Sequence, residues 1–200
     1  MLKKAGFIIC CLLILPIAQY CSQKSSEIYV NGGFEAKSSD GDNPEGWRVS
    51  GLSEMADYVE FRWDEEVARS GQRSVSIHIK EDFPEQNLGD SIVYYETKKF
   101  KYEKAKTYEV TGWIKTQNVK NPAFLEVQCK GWPKANEAWK VVKTYSSTGS
   151  KDWAQLMGSF ARYKGRKDQA YFQIRVGIPL SKNEGSEVWF DDIQLRILDD

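Results

Sequence analysis

Two-residue alternation of apolar and polar side chains runs through several stretches of this 200-residue chain, and it constrains the fold more than any other feature. From Ser74 to Lys80, Val75, Ile77 and Ile79 fall on one side, and Ser76, His78 and Lys80 on the other. Tyr108, Val110, Gly112 and Ile114 alternate with Glu109, Thr111, Trp113 and Lys115. Ala123, Leu125, Val127 and Cys129 alternate with Phe124, Glu126, Gln128, Lys130 and Trp132. Ala170, Phe172, Ile174 and Val176 alternate with Tyr171, Gln173, Arg175 and Gly177. A period of two is that of an extended strand with one face against a core, and no 3.6-residue periodicity longer than two turns competes with it. Clusters of Gly, Asn, Asp, Ser and Pro punctuate about ten such segments. The expected architecture is all-β: two packed antiparallel sheets in a β-sandwich of jelly-roll type.

The last strand breaks its own rhythm. Val188 and Phe190 share one phase while Ile193, Leu195 and Ile197 share the other, so an extra residue must be absorbed at Asp191-Asp192. A bulge there turns a carboxylate out of the ladder. Charge balance narrows the function. With 28 basic against 28 acidic side chains, no strong positive field draws the chain as a whole to nucleic acid. A single histidine, His78, leaves little for a His-rich metal site or a two-imidazole hydrolase. Seven Trp, ten Tyr and nine Phe favour strands and aromatic surface contacts instead.

The N-terminus reads as a segment outside the fold. Lys3 and Lys4 precede an apolar run from Ala5 to Ala18, shorter than the roughly 20 residues of a spanning helix, which marks residues 1–20 as an export signal. The run ends at Cys21, followed by Ser22, Gln23, Lys24, Ser25 and Ser26. This pattern resembles a bacterial lipoprotein signal, although Tyr20 stands where a lipobox has a small residue. It implies acylation of Cys21, a tether over 21–26, a domain over 27–200, and residence at the cell envelope, on the outer membrane, with the lipid as the only membrane contact. Removal of Cys10 and Cys11 with the signal leaves Cys129 alone, so no intramolecular disulfide can form. Cys129 lies on an apolar face and reads as an inert core thiol.

The order of motifs in the remaining chain is informative. Asn31-Gly32-Gly33-Phe34-Glu35 opens it, followed by Pro44-Glu45-Gly46-Trp47, Arg69-Ser70-Gly71-Gln72-Arg73-Ser74-Val75, Thr107-Tyr108 to Gly112-Trp113-Ile114-Lys115, and Val188-Trp189-Phe190-Asp191-Asp192-Ile193-Gln194-Leu195. In this order the motifs resemble the family 4 and family 9 group of carbohydrate-binding modules, a galactose-binding-like jelly roll, from Ile28 to Leu198. The resemblance implies a structural calcium where the first and last strands meet. Its ligands would be the carbonyl of Gly33, the carboxylate of Glu35, Ser70, the carbonyl of Arg73, and Asp191. Calcium accepts such a mixture of carbonyls and carboxylates. The competing reading has Glu35 and Asp191 exposed or paired with Arg69 or Arg73.

A sugar ring needs an aromatic platform with planar donors and acceptors at its edge. Trp132 offers a platform on the side of its strand that carries Glu126 and Gln128, and Tyr171, Gln173 and Arg175 form a matching set on another strand. The resemblance adds Glu96, with Tyr94 beside it; Trp139 is a second possible platform. Trp47, Trp153 and Trp189 read as packing residues. The leading expectation is a non-catalytic module that binds poly- or oligosaccharide. The alternative is a surface lipoprotein whose sandwich binds a protein partner or host matrix component. An enzyme ranks third, with Glu96 and Glu126 as the available carboxylate pair.

Overall fold

The computed structural model describes residues 25–39, 41, 43–51, 56–84, 91–103, 106–130, 139–161 and 171–198. Ten strands follow in order: β1 (Ser25–Ile28), β2 (Trp47–Ser50), β3 (Val59–Asp64), β4 (Ser74–Ile79), β5 (Ile92–Thr97), β6 (Phe100–Lys101), β7 (Thr107–Lys130), β8 (Lys140–Ala161), β9 (Tyr171–Pro179) and β10 (Glu187–Leu198). Every pairing between them is antiparallel, and no helix occurs among the described residues. The expected all-β jelly-roll sandwich is therefore the fold.

The two segments read separately over 108–115 and 123–130 are halves of one strand. The N-terminal half of β7 pairs with β10, and its C-terminal half pairs with β9. β8 accompanies β7 along its length, with register breaks between Ile114 and Ala123. Asn118 there takes a left-handed φ of 56°, and Pro122, which has no N–H to donate, falls in the gap between Val119 and Ala123. β7 and β8 thus belong to both layers. One layer runs β3, β4, β10, β7, β8, and the other runs β2, β5, β9, β7, β8.

The irregularity expected at Asp191-Asp192 is present: the β10–β7 register shifts between Asp191 and Gln194, and Asp192 has φ 50°. It divides the outer edge of β10. β4 pairs with residues 187–190, and β1 with residues 195–198. Ser25 and Ser26, assigned from the sequence to the tether, already pair with Leu198 and Ile197. In the gap the chain at Gly32 lies against Ile193. Ile193 N–H donates to the Gly32 carbonyl at 2.9 Å, and a Cβ on Gly32 would fall 1.7 Å from the Ile193 carbonyl oxygen, so only glycine fits.

The core contains the apolar phases read from the sequence: Val75, Ile77, Ile79, Val110, Ile114, Leu125, Val127, Ile174 and Val176 are buried. One end is an aromatic cluster. Phe172 lies 4.8 Å from Tyr102, 5.0 Å from Tyr108 and 5.3 Å from Phe160 between ring centres. Cys129 is buried beside it, 2.8 Å from the Tyr102 hydroxyl, and burial pushes its thiol up to about 11, which keeps it protonated and inert. Phe172→Ala is expected to cost about 3–5 kcal/mol and lower the melting temperature by roughly 6 °C or more. Thermal and urea unfolding measure this, and a nearly unchanged melting temperature would refute the packing.

Candidate functional site

Strand register places most of the predicted sugar-binding residues on one outer face. Glu96 on β5 is opposite Arg175 on β9, which is opposite Glu126 on β7, and Arg48 on β2 flanks Glu96 from the other side. The next row holds Gln173 opposite Gln128, and the row beyond holds Lys101, Tyr171 and Lys130. Above the charged row, Tyr94 and Phe124 flank Gly177. A Cβ on Gly177 would meet Tyr94 Cβ at 2.6 Å and the Phe124 ring at 3.0 Å, so glycine lets the two rings close over this position.

The acids and the arginine of this face are committed to one another. Arg175 donates to Glu126 Oε1 through Nε at 2.7 Å and also through Nη2, and its guanidinium lies 4.0 Å from the centre of the Tyr94 ring. Gln128, with its oxygen turned toward the guanidinium as the surrounding donors require, accepts from Arg175 Nη2 at 3.0 Å and Nη1 at 3.2 Å. Arg48 Nε donates to Glu96 Oε1 at 2.6 Å, and Gln173 Nε2 donates to Glu96 Oε2 at 2.6 Å. Glu96, Glu126, Gln128, Gln173 and Arg175 are all buried. Burial raises the pKa of Glu126, against the attraction of Arg175.

One polar atom in this network has no partner: the Gln173 Oε1 acceptor is buried and receives no hydrogen bond among the described residues. Beside it on the strand, Tyr171 is 40% exposed. The face therefore carries an exposed aromatic ring over a locked ionic layer that encloses one unpartnered acceptor. Trp139 is half-buried, with its ring centre 5.6 Å from Lys99 Nζ on the β5–β6 link. Trp132 lies outside the described residues, as does Cys21. The sequence reading overlooked Arg48, although Trp47-Arg48-Val49-Ser50 alternates, because four residues give the pattern too little length to stand out.

The residues expected around an ion also converge, where the chain ends meet. Asp191 is fully buried; its Oδ2 accepts from the backbone N–H of Arg69 at 2.8 Å and of Ser70 at 3.1 Å. Glu35 Oε1 accepts from the N–H of Gln72 at 2.8 Å and of Arg73 at 3.1 Å. Ser70 Oγ points elsewhere, donating to Asp192 Oδ1 at 2.7 Å, and Arg69 pairs with Asp192 Oδ2 at 2.5 Å. Glu35 and Asp191 are thus held by main-chain N–H groups of the 69–73 turn and not by arginine side chains. Burial pushes the Asp191 carboxyl up to about 6, and its three backbone donors hold it from rising further.

No three Asp, Glu, His or Cys side chains gather as a metal group among the described residues. Oxygens of the kind a hard cation takes are nonetheless grouped here: a Cβ on Gly33 would lie 3.9 Å from both Glu35 Cγ and Asp192 Oδ1. Gly33, Glu35 and Asp192 border a cleft of about 320 Å³.

Two of the tryptophans read as packing residues are packed as expected. Trp47 is buried, donating from Nε1 to the Val30 carbonyl at 2.8 Å, and Trp189 donates to Asp64 at 3.0 Å. His78 is half-buried, with Nδ1 3.9 Å from Glu187.

The ion pair at the centre of the face makes a sharp prediction. Arg175→Met strands Glu126 in the sheet and is expected to cost about 3–5 kcal/mol at neutral pH. The folded pKa of Glu126 already lies above its ordinary 4.5, and loss of the guanidinium raises it further. Stability tied to a raised carboxyl pKa is complete below the unfolded value and falls as pH climbs through the folded one. The penalty should therefore be small near pH 4 and grow toward about pH 7, and adding Glu126→Leu should recover most of it. Urea denaturation at both pH values decides this; a pH-independent penalty would exclude Glu126 as the stranded group.

No protein-family model matches the sequence, and no curated protein is similar to it in sequence. Solved structures are similar in fold. The CBM22-1 xylan-binding domain of Paenibacillus barcinonensis Xyn10C aligns at a TM-score of 0.56 and 13% identity, covering 90% of this chain and 99% of that one. The Stig cyclase Fisc from Fischerella sp. TAU, solved with a methylpyrrolidinylidene-indole, aligns at 0.59 and 15% identity, covering 87% and 98%. The CBM22-1–GH10 modules of Clostridium thermocellum Xyn10B, solved with xylohexaose, align at 0.50 and 12% identity, covering 78% and 26%. Likeness at this level of identity establishes a shared jelly-roll sandwich.

Proposed function

We propose that this protein is a non-catalytic carbohydrate-binding module that takes a poly- or oligosaccharide on the outer face of β2, β5, β9, β7 and β8. The carrying observation is the exposed Tyr171 ring, set on the same face of β9 as the polar groups of Gln173 and Arg175, an apolar platform over an ordered polar floor. The fold shared with a xylan-binding domain supports this reading. In it, Arg175, Glu126, Glu96 and Gln128 set the shape of the floor, Tyr171 stacks, and Trp132 and Trp139 contribute further aromatic surface. The same contacts favour binding over catalysis. Glu96 and Glu126 have side chains only 6% and 7% exposed and are bonded to guanidinium groups, so neither is presented to a substrate as acid, base or nucleophile. Kinship with family 4 and family 9 modules, a lipid on Cys21 and display at the envelope complete the proposal and rest on the sequence motifs. Tyr171→Ala is expected to weaken oligosaccharide binding about tenfold or more, a loss of ~1.4 kcal/mol. A glycan array followed by titration calorimetry tests this; unchanged affinity in the variant would move the site elsewhere.

Calcium belongs to the same proposal as a structural ion. Gly33 and Arg73 would offer carbonyls, and Glu35 and Asp191 carboxylates, joining residues far apart in the chain. Such an ion stabilises the folded state by about 2.7 kcal/mol at a hundredfold excess over its Kd. A chelator should lower the melting temperature by several degrees, Glu35→Ala or Asp191→Ala should do the same, and the chelator should add little to either variant. Identical melting of the wild type with calcium and with chelator would rule the ion out.

A further inference from the structure

The charged groups on the candidate face divide sharply by exposure. Its two carboxylates, Glu96 and Glu126, are buried and bonded to Arg48 and Arg175. Among the described residues its exposed charges are mainly cations. Lys101 and Lys130 stand in register on either side of Tyr171, one from β6 and one from β7. Both are exposed, as are Lys98 and Lys99 between β5 and β6, and the Arg48 side chain is 66% exposed even while it holds Glu96. Against these stand two exposed acids at the margin, Glu45 ahead of β2 and Glu103 after β6. Other carboxylates concentrate in the opposite layer, where Glu60, Asp64, Glu65 and Glu66 lie on or just after β3 and Glu187 opens β10. Those acids have cations of their own, Arg62, Arg73 and Lys80 pairing with Glu60, Glu65 and Glu187, whereas the exposed lysines around Tyr171 have no acid opposite them in register among the described residues.

We infer that the glycan taken by this face is anionic, a uronate-bearing or sulfated polysaccharide whose carboxylates or sulfates lie against Lys101, Lys130 and Arg48 while a sugar ring packs on Tyr171. The inference rests on the face being the glycan site. Its physical basis is that cations flanking the platform on both sides gain a charge attraction from an anionic sugar beyond the hydrogen bonds they could donate to a neutral one, and a nearby free carboxylate would cancel that gain. Here the carboxylates are neutralised by arginines within the sheet, so the field above the face is that of the lysines. Strand register also sets the geometry. Neighbouring strands are about 4.8 Å apart, which puts the backbones carrying Lys101 and Lys130 about 10 Å from each other across Tyr171. That span matches charges on sugar residues on either side of the one that stacks.

The test is titration calorimetry of the purified protein with three oligosaccharides of similar length: a neutral xylo-oligosaccharide, an oligogalacturonate and a sulfated xylo-oligosaccharide. Vesicles containing anionic phospholipid form a fourth arm. At least one of the two anionic sugars should bind tenfold or more tighter than the neutral one, and raising salt from roughly 50 to 500 mM should erase most of the difference. Which anionic sugar binds separates carboxylate from sulfate recognition. Lys101→Ala and Lys130→Ala should each weaken the anionic ligand at least threefold, while Lys115→Ala, a charge-matched control on the other layer, should not. If the neutral sugar binds as tightly as both anionic ones and Tyr171→Ala abolishes all three, the anionic inference fails and the glycan site stands. Binding of vesicles but of no sugar overturns both.

Discussion

β7 must keep β8 along one edge for its whole length while exchanging β10 for β9 along the other, and the two layers depend on that exchange. A sandwich is usually held by side chains meeting between two separate ladders. Here the ladders are also continuous through one hairpin, so the relative placement of the layers is fixed by backbone hydrogen bonds as well as by packing. The break between Ile114 and Ala123, with Asn118 in a left-handed conformation, is where the exchange happens. The aromatic cluster around Phe172, Tyr108 and Phe160 fills the end of the layers where the two halves of the hairpin diverge. β10 is subject to a similar division. Its bulge lets β4 and β1 share one edge, and it brings Asp191 under the 69–73 turn.

The outer face above β9 inherits its order from this framework. A guanidinium buried on a sheet surface is unfavourable unless its donors are satisfied, and Arg175 is satisfied by Glu126 on one neighbouring strand, by Gln128 on the same strand as Glu126, and by the Tyr94 ring on the other side. Glu96 has Arg48 and Gln173 in the same way. Two interlocked sets, each spanning strands, hold β2, β5, β9 and β7 in a fixed register. They also hold Gln173 so that its remaining oxygen is left over. A site floor made this way loses little entropy when a ligand arrives, because the polar groups have been immobilised already by folding.

The fold was legible from strand rhythm because alternation survives wherever one face is buried, and even the bulge showed as a phase change between Phe190 and Ile193. What the rhythm concealed was continuity. Asn118 and Pro122 look like the end of a strand, and only the two-sided pairing shows that β7 runs through them. For the candidate site, alternation put Glu126, Gln128, Tyr171, Gln173 and Arg175 on one face, and the residues suggested by the motif resemblance, Tyr94 and Glu96, lie on the same face. It also suggested that these polar groups were free to meet a ligand. Most are not, because a period of two says which side a residue takes and nothing about whether its neighbours across the strands neutralise it. The pairing of Glu126 with Arg175 required the register between β7 and β9, which is a long-range property. For the same reason Lys101 went unnoticed: a two-residue strand carries no periodic signal, and its place beside Tyr171 comes from pairing alone.

The division between a locked ionic floor and exposed lysines has a consequence for how such a face discriminates. Lysine is a hydrated point charge on a flexible stem, and an exposed pairing with it is worth well under about 1 kcal/mol. Four such groups near one tyrosine accelerate encounter and raise local anion concentration, but they do not specify a shape. Shape must come from what does not move, and on this face that means the Tyr171 ring and the Gln173 side chain, each carried on β9 between two paired strands. An acceptor buried without a donor costs free energy, and Gln173 carries that cost inside the floor beneath the Tyr171 row. On the proposed reading charge attracts broadly and the fixed ring selects narrowly, and the two roles are separated on the face because the lysines are exposed while the floor beneath the ring is built into the sheet.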